Sequence, residues 1–125
     1  YEMLAFSIFI TFKNLLTEEQ LRKFIQEKEK LNISTRGIVP DTEGDRTYDS
    51  DVFKGIKKEL WPVMRYIPKE DFPYEAEITI YGTNKVSITK LGGPNIIGVI
   101  IEDKNIHDMM RMIFELAWGN TKLRK

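Results

Sequence analysis

The side chains that most often perform chemistry are sparse in this chain. His107 is the single histidine and there is no cysteine. A metal bound by imidazole or thiolate needs several such ligands, and a histidine base needs a positioned partner. No serine lies in a nucleophile elbow. We therefore interpret His107 as a solvated or interface side chain, and we expect no metal, no cofactor and no enzyme activity.

Two short segments look like ligand loops but lack the residues that such loops need. A calcium loop in the acidic stretch 41–51 would need glycine and glutamate where Arg46 and Val52 stand. The run Gly92-Gly93-Pro94 lacks the Lys-Ser/Thr pair of a phosphate loop. We predict a hairpin turn at the second site and, at the first, a solvated loop that leads into a helix. The apolar face of that helix would comprise Val52, Phe53, Ile56 and Leu60.

Four charged residues interrupt segments that otherwise read as strands. In one interpretation they face solvent or form cross-strand ion pairs, each worth at most about 1 kcal/mol. In the other they line a polar ligand pocket at the edge of the sheet or at its strand ends, where open α/β sheets commonly bind ligands. The four candidate ligand-binding residues are Arg36, Arg65, Glu77 and Lys85.

The last helix carries more apolar residues than one buried face requires. Ile106, Met109, Met110, Ile113, Phe114 and Ala117 recur at helical spacing. Met112 falls off this face and Trp118 lies at its edge. An apolar second face on a terminal helix can mark a subunit contact, although scattered surface apolar residues are also normal. Met112 and Trp118 are therefore candidates for a dimer contact, with plain packing as the alternative.

The elements that position these residues predict an α/β fold. The apolar run Met3–Ile10 suits a strand buried on both faces. Thr17 and Gln20 form a capping box, with Leu16 at the preceding staple position. A strand over 33–39 follows the helix, which makes a βαβ unit with parallel strands.

The rest of the chain predicts antiparallel strands and a closing helix. A short strand covers 63–67, and the segments 75–81 and 85–89 alternate as a hairpin. The run 96–101 is apolar on both sides, so we expect it in the middle of the sheet, with Gly98 at a bulge or a close backbone approach. Asp103 is the expected N-cap of the last helix. The prediction is a mixed sheet of about six strands with a βαβ start, a C-terminal hairpin or meander, and a closing helix packed on it.

Composition limits the function classes. A chain of 125 residues fits one domain, here 1–125. Its 19 basic and 19 acidic residues cancel, which argues against direct binding of nucleic acid. The longest apolar run is far shorter than the ~20 residues of a membrane span. We expect a cytoplasmic location and no membrane partner. Because the chain starts with Tyr1 and enters a strand at once, we expect a fragment of a longer protein.

Several segments resemble the effector domain of TrmB-like transcriptional regulators. They are LAFS, RGIVPDTEGDR, RYIPKEDFPYEAEITIYG, IYGTNKVSI, IIGVIIEDKNI and MRMIFELAWG, which together span nearly the whole chain. The resemblance implies a homodimer, with DNA bound only through a winged helix-turn-helix upstream. It also implies a small-molecule effector of unspecified chemistry. Family members that bind sugars carry a further C-terminal domain, which we expect to be absent because the chain ends soon after Trp118.

The same resemblance implies a fold like half of a phospholipase D-type enzyme. That class needs a His-x-Lys motif and an Asp five residues after the Lys. Here Thr83 stands at the histidine position, Lys85 at the lysine position and Lys90 at the Asp position. We therefore expect a ligand-sensing or dimerisation domain of a DNA-binding transcriptional regulator. The alternatives are a degenerate phospholipase D-like phosphodiesterase and a structural interaction module without a ligand.

Overall fold

The computed structural model describes residues 2–7, 17–47, 53–90 and 92–120 of the chain. They form a six-stranded sheet with a long helix on each face. The strands are β1 Glu2–Phe6, β2 Ser34–Pro40, β3 Val63–Ile67, β4 Ala76–Tyr81, β5 Lys85–Lys90 and β6 Ile97–Glu102. The helices are α1 Glu18–Lys30, the single turn α2 Glu43–Arg46, and α3 Lys104–Asn120. Two 3₁₀ turns cover Lys58–Leu60 and Lys69–Asp71.

The N-terminal βαβ unit is present as predicted. Strands β1 and β2 pair in parallel, and β2 pairs in parallel with β3. Helix α1 begins at the predicted capping box: the Gln20 amide donates to the Thr17 hydroxyl at 3.1 Å, and the Thr17 amide donates to the Gln20 side chain at 3.0 Å. Two parts of the prediction, Leu16 and the strand continuation over 8–10, lie outside the described residues.

The sheet joins a parallel half to an antiparallel half. Its strand order is β3-β2-β1-β4-β5-β6, and β1 pairs antiparallel with β4. Strands β4, β5 and β6 form an antiparallel meander. Gly82, with φ of 60°, lies in the turn between β4 and β5, where a left-handed backbone suits glycine. The predicted α/β class, βαβ start, meander and closing helix are all confirmed.

The predicted central position of the 96–101 run is wrong. Strand β6 is an edge strand that pairs with β5 alone among the described strands. Its side chains are largely exposed, Ile100 at 64%. The predicted bulge at Gly98 is also absent, because β5 and β6 pair in regular register and a Cβ at Gly98 would meet nothing within 4 Å. Apolar residues on both sides of a strand do not require burial within this sheet.

The predicted helix over residues 52–60 is also wrong in its described part. Phe53 to Ile56 form turns and bends, and only Lys58–Leu60 is helical, as one 3₁₀ turn. Gly55 has φ of 87°, a left-handed conformation that does not continue a right-handed helix. Phe53 and Leu60 are nevertheless buried as expected. Val52 lies outside the described residues.

The core has two layers, one on each face of the sheet. On the α1 face, Ile25 of the helix packs with Phe53 and with sheet residues Val39 and Met64. On the α3 face, Phe114 packs with sheet residues Leu4, Ile38, Ile80 and Val86. Each helix therefore covers its own side of the sheet.

Candidate functional site

The two predicted ligand-binding arginines lie on the α3 face and already have partners. Arg36 donates to Glu2 at 2.8 Å and also to Glu115 of α3. Its guanidinium carbon lies 5.2 Å from the centroid of the Trp118 ring, and that of Arg65 lies 4.2 Å from the same centroid. Arg65 also donates to the Trp118 backbone carbonyl. These arginines attach α3 to β2 and β3.

The other two predicted ligand-binding residues lie on the opposite face. Glu77 lines a cavity beneath α1. Lys85 is opposite Tyr81 in the ladder, and it precedes Val86, which packs against Phe114 on the α3 face. Successive strand residues point to opposite faces, so Lys85 points to the α1 face. The four residues therefore do not form one pocket, and their role in ligand binding remains a prediction.

His107 is buried, in contrast to the prediction of a solvated or interface side chain. Its Nδ1 lies 2.9 Å from an oxygen of Asp108. The pKa of Asp108 is lowered mainly by its hydrogen bond with Lys104 and, to a smaller extent, by its hydrogen bond with His107. No group of three or more metal-binding side chains occurs within the part of the chain that the structure describes.

An exposed apolar surface spans β5, β6 and α3. Met109 and Leu116 are each 61% exposed, and Val99 on β6 is 45% exposed. Contiguous apolar patches of this kind mark interaction sites more often than single exposed residues do. We call this feature the β6/α3 surface. It comprises Ile88, Ile97, Val99, Ile106, Met109, Met112, Ile113 and Leu116.

The orientation of α3 makes this surface continuous. One edge of the helix carries Arg111 and Glu115, which contact Glu2 of β1 and Arg36 of β2. The opposite edge therefore faces β5 and β6. Helical periodicity places Ile106, Met109, Ile113 and Leu116 on that side.

Only one of the two predicted dimer contacts belongs to the β6/α3 surface. Met112 is 51% exposed and lies beside Met109 and Leu116 on the helix. Trp118 is half-buried, stacks on Phe114 with ring centroids 5.7 Å apart, and contacts two arginines. A role in dimerisation remains a prediction for both residues.

A cavity beneath α1 contains a feature that sequence reasoning missed. Its volume is about 190 Å³, and Lys28 points into it with only 7% of its area exposed. Burial lowers the pKa of Lys28 from 10.5 to about 8. Helical spacing in the sequence could have predicted the burial of Lys28. This residue follows Phe24 by four residues and Ile25 by three, which places it on the buried face of the helix.

Comparison with known proteins gives a fold relationship. No family model and no curated protein matches the chain. A solved structure of similar fold is that of TrmBL2, an archaeal chromatin protein with a novel mode of DNA binding. The TM-score is 0.62 at 15% identity, over 98% of this chain and 46% of TrmBL2. This chain thus spans less than half the length of TrmBL2. None of the described helices is long and apolar enough to cross a membrane.

Proposed function

We propose that this chain is the ligand-sensing and dimerisation domain of a DNA-binding transcriptional regulator. In this proposal the domain is non-catalytic, and DNA is bound by another part of a longer protein. Two observations support this division of roles. The fold is similar to part of a DNA-binding chromatin protein, and the chain itself has no net charge, whereas nucleic-acid-binding domains are usually basic.

The β6/α3 surface is the observation that carries the dimerisation part. Strand β6 leaves a row of backbone donors and acceptors unpaired by any described strand, and its only charged residue is the terminal Glu102. Natural edge strands are usually protected by charges, prolines or bulges. Antiparallel pairing of β6 with a second copy would satisfy these backbone groups.

A second copy also fits the apolar side chains. In a two-fold dimer each surface contacts the same surface of its partner, so one patch suffices for both subunits. Antiparallel β6 strands would bring the exposed edge of each α3 towards the other subunit. Burial of half-exposed Met109, Leu116 and their neighbours would then stabilise the pair by the hydrophobic effect.

Sedimentation equilibrium of matched edge variants tests this proposal. Val99 on β6 and Val63 on β3 are exposed at 45% and 51% and lie on the two opposite edges of one sheet. We expect wild type and Val63→Lys to be dimers at about 100 µM, and Val99→Lys to be a monomer, because a charge would enter the apolar contact. A monomeric wild type, or equal dissociation of both variants, would contradict the proposed interface.

The DNA-binding part is tested separately. Fluorescence anisotropy with duplex DNA at low salt should show no binding by this chain, whereas the full-length protein should bind with a salt-dependent affinity. Specific high-affinity binding by the 125-residue chain would overturn the division of roles. So would a full-length reading frame without a DNA-binding domain.

A further inference from the structure

The cavity beneath α1 combines a partly open volume, an apolar wall and one cation. Its volume of about 190 Å³ exceeds the ~150 Å³ of an engineered apolar cavity that binds benzene. Phe24, Phe53 and Met3 contribute apolar wall, and Ser7, Thr35 and Thr79 contribute hydroxyl groups. The space therefore suits a small organic molecule with one polar end.

Lys28 is the only basic residue among the described residues that line the cavity. Its Nζ donates to the Thr35 hydroxyl at 2.5 Å and lies 5.4 Å from the centroid of the Phe53 ring. An ammonium group has three donors, and the Thr35 hydroxyl accepts one of them. No carboxylate of the described residues lies within the 4.0 Å that defines an ion pair with Lys28. Burial of an ammonium without an anion is unfavourable, so the site favours an anionic guest.

We propose that this cavity binds a small monocarboxylate with an apolar body, whose carboxylate contacts the Lys28 ammonium and the Thr35 hydroxyl. The apolar body would lie against Phe24 and Phe53. A single carboxylate fits better than a phosphate or a dicarboxylate, because the described lining of the cavity offers one cation for one negative charge.

This site deepens the sensing part of the proposed function and rests on it for its regulatory meaning. Its location supports such a role, because the guest would contact helix α1, strands β1 and β2 and the turn residue Phe53 together. Binding itself does not require a dimer. Failure of ligand binding therefore leaves the sedimentation test of the β6/α3 surface intact, and a monomeric protein can still bind the carboxylate.

Calorimetric titration with benzoate and isovalerate, each paired with its neutral amide, tests the site at neutral pH. We expect at least one carboxylate to bind with Kd below roughly 10 mM and its amide to bind about tenfold or more weakly, a difference of about 1.4 kcal/mol. Lys28→Met, which keeps an apolar stem, should remove this preference for the carboxylate. Lys23→Met should leave it unchanged, because Lys23 is 75% exposed on the same helix.

Two results would overturn the proposal. One is the absence of binding by both carboxylates up to roughly 10 mM. The other is unchanged carboxylate affinity in Lys28→Met, with thermal unfolding used to verify that the variant is folded. Amide chemical shifts give a second readout in the wild-type protein: Ser7, Thr35 and Thr79 should shift with benzoate, whereas changes confined to the surface of α3 would place the ligand elsewhere.

Discussion

Arg65 lies over the ring of Trp118, with its guanidinium carbon 4.2 Å from the ring centroid, and it donates a hydrogen bond to the backbone carbonyl of the same residue. This double contact attaches the last turns of α3 to edge strand β3. At the other end of the helix, an Asp103 oxygen accepts from the Ile106 amide at 2.9 Å and caps the first turn. The rotation of α3 about its axis, and hence the direction of its exposed apolar edge, is thereby fixed.

Replacement of Arg65 should measure this attachment. We expect Arg65→Ala to lower the free energy of unfolding by about 1–3 kcal/mol, because a cation–π contact and a hydrogen bond from a charged group are lost together. Arg65→Lys should recover only part of this loss, since an ammonium lacks the planar stacking surface. Urea unfolding followed by circular dichroism provides the measurement. Arg22→Ala, which removes an exposed 3.8 Å ion pair with Glu18, is the control and should change stability by less than about 0.5 kcal/mol.

Met112 should contribute to dimerisation, because it is 51% exposed on the β6/α3 surface. Met112→Glu would place a carboxylate in the β6/α3 surface, and we expect a shift from dimer to monomer by light scattering after size exclusion. The melting temperature of wild type should rise with protein concentration, because association stabilises the folded state. This dependence should be absent in Met112→Glu.

The neighbouring residue Arg111 offers a control for that variant. It lies on the opposite, polar edge of α3, where it contacts Glu2 at 3.9 Å. Arg111→Glu introduces the same carboxylate one position earlier and should preserve the dimer mass. If Met112→Glu and Arg111→Glu dissociate equally, the negative charge added to α3 controls assembly, and the apolar surface does not.

The buried Lys28 should make stability depend on pH in a defined window. Its pKa in the folded protein is about 8 and its ordinary value is 10.5. Between these values the unfolded chain binds the proton and the folded chain does not, so stability should rise with pH. The full difference is on the order of 3 kcal/mol. Below about pH 8 both states are charged, and the cost of burying the charge persists.

Comparison of wild type with Lys28→Met isolates this contribution from other groups that titrate at high pH. Urea unfolding at pH 7, 8, 9 and 10 should show a wild-type deficit relative to the variant that shrinks above pH 8. A difference that is constant over this range would mean that Lys28 keeps its ordinary pKa in the folded state and is therefore well solvated. Lys23→Met should show no trend, because Lys23 is exposed.

Gly98 should tolerate a side chain. Its Cβ position is open within 4 Å, and its φ is not left-handed. Gly98→Ala should therefore be neutral or stabilising by about 0.5–1 kcal/mol, because glycine weakens a strand through its backbone freedom. Thermal unfolding of the two proteins measures this change. Gly82→Ala, at φ of 60°, should instead destabilise, and a loss of more than about 1 kcal/mol in Gly98→Ala would indicate a hidden close approach.

Apart from the helix predicted over residues 52–60, local patterns in the sequence predicted the elements well, because their causes are local. The capping box of Thr17 and Gln20 and the alternation in β4 and β5 depend on residues a few positions apart. The place of β6 in the sheet is not local. An apolar run indicates that both faces of a strand avoid water. It does not indicate whether the residues that bury those faces belong to the same chain or to another.

The candidate sites were less predictable for a related reason. Arg36 and Arg65 were recognised as unusual strand residues, but their contacts with Trp118 depend on how α3 lies on the sheet. Lysine is a residue type that is mostly exposed. The type of Lys28 therefore predicts exposure, whereas its helical spacing predicts burial. Its environment requires Thr35 and Phe53, which come from a strand and from a turn distant in sequence.

The seam between β1 and β4 has a consequence for the order of folding. Each half of the sheet contains three strands that are consecutive in sequence, whereas the seam joins residues as distant as Leu4 and Ile80. Loops that are closed over long separations cost more entropy and slow folding. We expect both halves to acquire structure first and to dock at this seam last. During synthesis, β1 would then emerge early from the ribosome and wait for its antiparallel neighbour until most of the chain had been made.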